Sequence, residues 1–539
     1  MNKIRDIIDK YTMIIVVAIS IPAVRYLFVN GYFGVSDDLH IGWLFEMDRV
    51  IKMLQFPPRY VPDLSFGFGY PLFTFVYPFP FYIAEVFHLI GFSLVNSVKL
   101  VFGLSIPLSM YFMYQLLRKY LSELPSLAGA VLYVYAPYRV LELFVRGTIG
   151  EIVAFVFFPL ILLAVVKKKP YILALSFAGL VLSHNIMAYM FVPFLLIFII
   201  ADKSFWVSLK GLLLGLLGSA YFWVPAIFES KLMKYDTVFN FYDHYPTLKQ
   251  FITPYWGYGA SVPGPYDTMS FYMGAVGILT ILLGLIIYLI KFKEFSRDEK
   301  TIVGWGLVVF LVSIFMMNHR SAFLWRNLPL LPYFQFPWRF MAMITLISPT
   351  FLISISKIKN IKIVNVLSFL IIVFSIGLNF NYFKTSEYLG RGDDYYINRY
   401  IPVPIASDEY LKTSEEYLRL PKENEARPEK VYPRAYTDNP DVRFKIEELS
   451  PLDAKINTEG DNDFILNYNK YNYPGFIAKI DGKKVDIKSG KPYGQISFNV
   501  PAGKHEVVVE YNESQFRLVF NIISVVTILF VIYNLAKKR

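Results

Sequence analysis

The sequence predicts a polytopic α-helical membrane protein with about 12 transmembrane helices, a C-terminal extracytoplasmic mainly-β domain and a final transmembrane helix. Three observations carry this prediction. Hydrophobic residues make up 55% of the 539 residues and charged residues only 18%, which excludes an ordinary water-soluble globule. Apolar stretches of about 20 residues recur along the chain, as helices that satisfy their own backbone hydrogen bonds in lipid require. Basic residues cluster between these stretches.

We place the spans at the recurring apolar stretches and expect the first one to be retained, because no small-residue cleavage site follows it. They lie near residues 11–30, 97–117, 124–138, 151–166, 170–183, 186–201, 206–224, 271–290, 301–317, 338–355, 362–380 and 516–534. The segment 79–90 is too short to span and is predicted to lie at the membrane interface.

The net charge of +11 indicates topology rather than nucleic-acid binding, because Lys and Arg concentrate in short segments such as Lys167 to Lys169. If these segments are cytoplasmic, both termini are cytoplasmic as well. The outside segments are then 31–96, 139–150, His184-Asn185, 225–270, 318–337 and 381–515. The chain has no cysteine, so disulfides, Cys-ligated zinc and thiol nucleophiles are excluded.

These patterns divide the chain into three parts. Residues 1–380 form a multi-helix transmembrane domain with an extracytoplasmic first loop, 31–96. Residues 381–515 form the extracytoplasmic β domain, where Asp481-Gly482 predicts a hairpin turn and a second turn is expected at 501–504. Residues 516–539 form the final helix and a basic cytoplasmic tail. No internal repeat of the kind found in transporters built of inverted halves is visible.

The first loop carries the strongest candidate for chemistry, the acidic pair Asp37-Asp38. A carboxylate at the membrane surface, shielded by aromatic side chains, can act as a general base or hold a metal ion. Either role fits Asp37. The alternative is that the pair caps a helix beginning near Leu39.

The residues Asp-Asp-Leu-His at 37–40, followed by PDLSFGFGYPLFTFVYPFPFYIAEVFHLIG, resemble the GT-C superfamily of lipid-phosphate-sugar-dependent glycosyltransferases. More closely, the chain resembles the pyruvoyl-tetrahydropterin-synthase-related membrane proteins and the YfhO-like proteins. Further matching segments are YRVLELFVRGTIGE at 138–151, LSHNI at 182–186, PYWGYGASVPGPYDTMSFYMG at 254–274, QFPWRF at 335–340, YPGFIAKIDGKKV and VPAGKHEVVVEY.

The resemblance implies a GT-C-like enzyme that transfers a sugar from a polyprenyl-phosphate carrier to a lipid, glycan or protein acceptor outside the cell, by direct displacement. Asp37 matches the superfamily's first-loop aspartate, the expected base, and Asp38 stands where many relatives carry a second acid, so which of the two acts stays open. A divalent cation, Mg or Mn, at Asp37 and Asp38 also stays open, because some members of the superfamily use one. No other cofactor and no nucleic acid is expected.

A lipid-phosphate leaving group needs fixed positive charge, which arginine supplies best. We therefore predict that Arg139, Arg146 and Arg339 bind the donor phosphate. The alternatives are that they anchor helix ends at the interface and that Arg146 pairs with Glu151.

Eight further residues are candidates for contacts with the substrate. The pair His184-Asn185 either makes a turn or points into a cavity, and the aromatic rings either stack on sugars or form interfacial belts. The eight are His40, Glu151, His184, Asn185, Trp256, Tyr258, Asp267 and Trp338.

Two other functional classes stay open. A transporter or flippase for a lipid-linked sugar would carry charges deep inside several helices, whereas here they concentrate at the predicted outside ends. A non-catalytic assembly protein would bind envelope glycans through its β domain.

Overall fold

The computed structural model describes residues 2–234, 244–262, 266–329, 331–413, 415 and 418–537, with the backbone alone for residues 2–10. The helices are α1 Asn2–Val24, α2 His40–Lys52, α3 Leu72–Phe75, α4 Phe79–Leu89, α5 Leu94–Leu117, α6 Glu123–Val134, α7 Pro137–Val140, α8 Ile149–Val166, α9 Pro170–Ser183, α10 Asn185–Ala201, α11 Phe205–Gly218, α12 Ala220–Glu229, α13 Leu248–Ile252, α14 Ala275–Ile290, α15 Arg297–Met316, α16 Ala322–Asn327, α17 Met341–Ile347, α18 Ile361–Asn379, α19 Asp393–Tyr400, α20 Asp408–Leu411 and α21 Gln515–Lys537. The strands are β1 Tyr32–Phe33, β2 Tyr388–Arg391, β3 Ala435–Tyr436, β4 Arg443–Glu448, β5 Ala454–Gly460, β6 Phe464–Tyr471, β7 Phe476–Ile480, β8 Lys483–Val485, β9 Lys488–Ser489, β10 Gln495–Val500 and β11 Gly503–Tyr511.

The helical part is that of a membrane protein. Within the described residues, seven segments are long and apolar enough to cross a bilayer: Tyr11–Phe28, Leu94–Leu117, Ile149–Val166, Arg297–Met316, Pro337–Lys357, Ile361–Asn379 and Gln515–Lys537. Two pairs of helices pass the same test together but are bent. They are Glu123–Val134 with Pro137–Arg146, bent by 47°, and Phe205–Gly218 with Ala220–Leu232, bent by 67°. If each pair is one span, the number of candidate spans rises to nine. The remaining predicted spans coincide with the shorter apolar helices α9, α10 and α14, so the count of twelve stays a prediction.

Residues 139–150, predicted as an outside loop, are instead helical and buried. A π-helical turn, Leu141–Arg146, continues α7, and α8 begins at Ile149. Arg146 compensates for part of this burial, because it donates to Glu142 in the same segment and to Glu151 at the start of α8.

The C-terminal part contains two antiparallel sheets with the strand orders β3-β6-β10-β9 and β4-β5-β11-β7-β8. Asp481-Gly482 joins β7 to β8 as predicted, with positive φ at both residues (49° and 78°), as a type I′ turn requires. The turn at 501–504 differs from a simple hairpin. Its strands, β10 and β11, lie in different sheets, and Gly503 at φ +123° carries the chain between them.

The first half of the predicted β domain does not belong to these sheets, because their first strand, β3, begins only at Ala435. The preceding segment packs on the first loop instead. Strand β2 pairs with β1, and helix α19 lies against α2. Chain from the far end of the sequence therefore covers the residues that follow α1.

Two buried basic side chains bind the C-terminal part of the chain to the rest of the protein. Lys470 on β6 donates through Nζ to the carbonyl oxygens of Pro62 and Gly67, both at 2.7 Å. Arg517 on α21 donates to both carboxylate oxygens of Glu229 at the end of α12, at 2.7 Å each. Lys470 thus joins one sheet to the first loop, and Arg517 joins the last helix to α12.

Candidate functional site

The first loop is attached to the segment 145–147 by four hydrogen bonds, one of which the Ser36 hydroxyl donates to the Val145 carbonyl at 3.2 Å. The amides of Ser36 and Asp37 donate to the carbonyls of Val145 (3.1 Å) and Arg146 (2.8 Å), and Nδ1 of His40 lies 3.1 Å from the carbonyl oxygen of Gly147. Gly147 permits this approach because it has φ +71° and a Cβ there would lie 2.6 Å from the Val35 side chain. Asp37 is consequently held beside Arg146.

Glu151, at the start of α8, is fully buried and collects cationic and polar groups from four parts of the chain. Its Oε1 accepts from Nη1 of Arg146 at 2.9 Å and from Nε of Arg339 at 3.2 Å, and Nε2 of His184 lies 3.8 Å away. Its Oε2 accepts from the Tyr138 hydroxyl at 3.4 Å. Such a carboxylate is retained inside a protein only when cations and hydrogen bonds compensate its lost hydration, and here they do.

Glu142 is a second buried acid in this cluster, and the sequence analysis missed it. Nη1 of Arg146 lies 2.9 and 2.8 Å from its two carboxylate oxygens, and the hydroxyl of Thr148 donates to it as well. The spacing of four residues between Glu142 and Arg146 is an ion-pair signal that the sequence does contain. Two glutamates therefore face two arginines.

The arginines are not saturated by these contacts. Within the described residues, Nε and Nη2 of Arg146 donate no hydrogen bond, and neither does Nη2 of Arg339. None of the three nitrogens is among the buried polar atoms that lack a partner, so they face accessible space. Guanidinium nitrogens in that position can donate to an anionic ligand.

The two adjacent aspartates differ in their surroundings. The Tyr400 hydroxyl donates to Asp38, and Nε of Arg399 lies 3.9 Å from its Oδ2. Burial raises the pKa of Asp38. The partly exposed carboxylate of Asp37 accepts no hydrogen bond from the described part of the chain and lies within electrostatic reach of Arg146, His40 and Tyr77.

Tyr77 and His184 form one wall of the site, with their rings 4.9 Å apart. Nδ1 of His184 accepts from the amide of Met187 and caps α10, which leaves the proton on Nε2, toward Glu151. The histidine therefore makes the turn that was one of the two alternatives, and it also points into the cluster. Burial raises the pKa of Tyr77, so its hydroxyl stays protonated and can act as a donor.

Arg139 lies within electrostatic reach of Glu142 but forms no ion pair with the cluster among the described residues. It is 1% exposed, donates to the Ser109 hydroxyl at 3.0 Å and lies 4.2 Å above the Phe155 ring. Its Nε and Nη1 are buried without a partner among the described residues. Its predicted contact with the donor phosphate stays a prediction.

Three predicted substrate contacts have other roles in the structure. His40 is buried and its Nδ1 binds the Gly147 carbonyl. The buried ring of Trp338 stacks on Phe336 at 4.8 Å and lies 4.9 Å from the Arg146 guanidinium, so it supports the arginine from below. The exposed Asn185 accepts from the next amide, that of Ile186.

The loop after α13 contains the last three predicted residues, and they hold the loop together. Trp256 stacks on Tyr382 with ring centres 4.6 Å apart, and Tyr258 donates to the Lys384 carbonyl at 3.3 Å. Asp267 accepts from the Ser261 hydroxyl (3.0 Å), the Val262 amide (2.9 Å) and the Gln250 side chain (3.3 Å). Within the described residues, none of the three forms a hydrogen bond or an ion pair with a member of the Glu151 cluster.

Among the residues that the structure describes, no group of three or more His, Asp or Glu side chains has an arrangement that would hold a metal ion by itself. The cation left open at Asp37 and Asp38 would therefore need ligands from a substrate as well.

Neither a protein-family model nor a curated relative matches this sequence. Among solved structures, the chain is similar to the oligosaccharyltransferase AglB of Archaeoglobus fulgidus in complex with an inhibitory peptide and a dolichol-phosphate, with 13% identity and a TM-score of 0.44 over 70% of this chain. It is also similar to the Archaeoglobus fulgidus oligosaccharyltransferase in the apo form, with 13% identity and a TM-score of 0.41 over 69% of this chain. In both cases the match spans 56% of the other protein's length. These scores are too low for a conclusion about function, which is therefore drawn from the geometry of this chain alone.

Proposed function

We propose that this protein is a membrane glycosyltransferase of the GT-C type, which transfers a sugar from a polyprenyl-phosphate carrier to an acceptor outside the cell. One observation carries the proposal. The Asp37 carboxylate accepts no hydrogen bond from the described chain and lies within electrostatic reach of Arg146. Arg146 shares Glu151 with Arg339, and the remaining nitrogens of both arginines face accessible space. An acid and two phosphate-binding groups are the parts that a displacement from a lipid phosphate requires.

In the proposed reaction, the Asp37 carboxylate accepts the proton of an acceptor hydroxyl. The hydroxyl oxygen then forms its bond to the anomeric carbon while the bond from that carbon to the phosphate oxygen breaks. The electron pair of the broken bond stays on the phosphate oxygen. Arg146 and Arg339 donate to the phosphate through the nitrogens that Glu142 and Glu151 leave unused.

Asp38 has a positioning role in this proposal. Tyr400 and Arg399, both on α19, hold its carboxylate, which fixes the backbone of the neighbouring Asp37. The choice between the two acids, which the sequence leaves open, thus favours Asp37 as the base.

The charge balance of the site supports the divalent cation as part of the proposal. Glu142 and Glu151 already offset Arg146 and Arg339, so a bound phosphate together with Asp37 adds uncompensated negative charge. Mg²⁺ and Mn²⁺ are commonly held by one or two carboxylates plus substrate phosphates, which suits Asp37. Such an ion would supply the missing positive charge beside the leaving phosphate.

The proposal is tested with the full chain in lipid nanodiscs, using labelled polyprenyl-phosphate glucose and polyprenyl-phosphate mannose as donors and a membrane fraction as the acceptor source. Asp37→Asn is expected to lower sugar transfer by about 10³-fold, since general bases contribute about 10² to 10⁴. Asp38→Asn and Tyr400→Phe should each lower sugar transfer by about tenfold, which is less than the effect of Asp37→Asn. Their effects should be equal because both changes disrupt the same contact. Addition of a chelator should also lower transfer.

Asp394→Asn is the matched control, because Asp394 is an exposed carboxylate on the same helix as Tyr400. Its transfer rate should equal that of the unchanged protein. Full transfer by Asp37→Asn would remove the proposed base. Movement of the labelled lipid across the bilayer without a covalent product would indicate a transporter instead.

A further inference from the structure

A cleft of about 650 Å³ lies between the first loop, the segment 397–404 and the two C-terminal sheets, away from the Glu151 cluster. Phe45 and Arg49 of α2 form one wall, Ile397 and Ile401 another, and Tyr432 and Arg434 the side toward the sheets. The volume is within the range of small-ligand and oligomer sites, about 300 to 1,000 Å³.

Three aromatic rings line this cleft. They are those of Phe45, Phe66 and Tyr432. Tyr432 is held in place, since its hydroxyl lies 2.7 Å from that of Tyr493 and its ring lies 6.0 Å from Phe68. A fixed ring offers an apolar face at a low cost in conformational entropy, and Nζ of Lys430 lies 5.5 Å from the centre of the Tyr432 ring.

The charged groups of the cleft balance one another. Arg49 donates to Asp63 at 2.9 Å, and the buried Lys470 lies within reach of Asp63, Glu46 and Glu448. Arg434 is held by the Tyr468 hydroxyl at 2.8 Å. Among the described residues, the cleft is lined by these three basic side chains and by the carboxylates of Asp63 and Glu448; the buried Glu46 is not part of the lining but lies within reach of Lys470. With Glu46 counted, the basic and acidic groups are equal in number, so the cleft favours neither an anionic nor a cationic ligand.

The backbone next to the cleft is already in use. The amide of Asn469 on β6 donates to the Arg434 carbonyl at 2.9 Å, and that of Tyr471 donates to the Phe68 carbonyl at 3.1 Å. Strand β6 is also paired with β10 and β3. An extended peptide, which binds by adding a strand to an open edge, finds no such edge on β6. The edge strand β4 lines the cleft only with its last residue, Glu448.

We propose that the cleft binds a neutral oligosaccharide through its aromatic rings and its balanced polar groups. Resting on the proposed function, this oligosaccharide is the acceptor. Helix α2 connects the cleft to Asp37, since Phe45 and Arg49 follow the acid by two to three helical turns, a distance on the order of 15 Å. A chain bound in the cleft can therefore extend one end toward the base.

The test measures binding directly, with the full chain in nanodiscs and saturation-transfer NMR or thermophoresis. The probes are chitotetraose and mannotetraose as neutral chains, tetragalacturonate as an anionic chain and a polyalanine peptide. Tyr432→Ala should weaken binding of a neutral tetrasaccharide by about tenfold or more, the typical effect of truncating an aromatic anchor. Tyr432→Phe keeps the ring and should stay within about twofold.

Tyr266→Ala controls for the loss of an exposed tyrosine elsewhere, because Tyr266 is 86% exposed and outside the cleft. Binding of the galacturonate or the peptide in preference to both neutral chains, no binding of either neutral chain, or equal binding by Tyr432→Ala, would overturn the proposal. Asp37→Asn should bind the tetrasaccharide normally. Binding without transfer in the unchanged protein would therefore refute the reaction and leave the cleft assignment standing.

Discussion

Two buried ion pairs of this protein use the same residue types in different ways. Arg517 donates to both carboxylate oxygens of Glu229 at 2.7 Å and to the Tyr511 hydroxyl at 2.9 Å, and the Tyr473 hydroxyl donates to Glu229 as well. Every nitrogen of this guanidinium has a partner. At Glu151, by contrast, two arginines share the carboxylate and keep nitrogens that face accessible space.

The difference separates a structural pair from a candidate binding site. Burial alone does not distinguish them, because Arg517, Arg146 and Arg339 are all at least nine-tenths buried. What distinguishes them is the remaining hydrogen-bonding capacity, which is used up at Glu229 and partly unused at Glu151. Changes at the first pair should therefore lower stability, and changes at the second should lower transfer.

The largest effect on stability is expected from Arg517→Met. This change leaves Glu229 buried without its cation, which costs about 3 to 5 kcal/mol of unfolding free energy. Thermal or denaturant unfolding in nanodiscs measures the loss. The pair Arg517→Met with Glu229→Leu should recover most of it, because no charge is then left unpaired. Sugar transfer per folded molecule should be unchanged in both, and a selective loss of transfer would blur the distinction between the two pairs.

At the second pair, Arg339→Lys should lower transfer by about 100-fold, which is the effect of losing one donor to a developing negative charge. The reason is geometric. Arg339 uses two nitrogens, Nε to bind Glu151 and Nη1 to bind the Phe334 carbonyl and the Gln335 side chain, and a single ammonium cannot replace this fork. The control is Arg320→Lys, at an exposed position. The free energy of unfolding should fall far less in Arg339→Lys than in Arg517→Met. A larger fall in Arg339→Lys would mean that Arg339 has a structural role.

The same contrast explains what the sequence could predict. Length and apolarity located spans such as α5, α15 and α21, and the Asp-Gly pair located a hairpin turn, because these signals are local. The choice between Arg139 and Arg146 was beyond the sequence, since both stand in one short segment and packing alone decides which guanidinium stays accessible. The contact of Tyr400 with Asp38 joins residues 362 positions apart and leaves no local signal.

Glu85 is a third kind of buried carboxylate, because no cation of the described chain forms an ion pair with it. Both of its oxygens are buried without a hydrogen-bond partner in the described chain. Burial and the neighbouring Asp48 raise its pKa from 4.5 to about 7, although His88 and Lys52 lower it in part. Because the folded protein then binds more protons than the unfolded chain between pH 4.5 and 7, stability should fall as the pH rises through that interval.

Glu85→Gln should remove this pH dependence and raise the unfolding free energy at pH 8 by about 2 kcal/mol, since the amide carries no charge to desolvate. Unfolding curves at pH 5, 6, 7 and 8 compare the two proteins. If the unfolding free energies of the two proteins differ by the same amount at all four pH values, Glu85 does not titrate in this range.

The smallest effect is expected at Asp267, whose three hydrogen bonds place it with Glu229 as a saturated acid rather than with Asp37. Asp267→Asn keeps the shape but loses the charge that these donors favour, which should cost about 1 kcal/mol. Because the residue contacts its own loop and not the Glu151 cluster, the apparent affinity for the lipid-linked donor should stay constant. The comparison of KM with unfolding free energy is decisive, since a substrate contact would raise KM without lowering stability. A raised KM would return Asp267 to the substrate site that the sequence suggested and would show that a saturated carboxylate can still exchange its partners for a ligand.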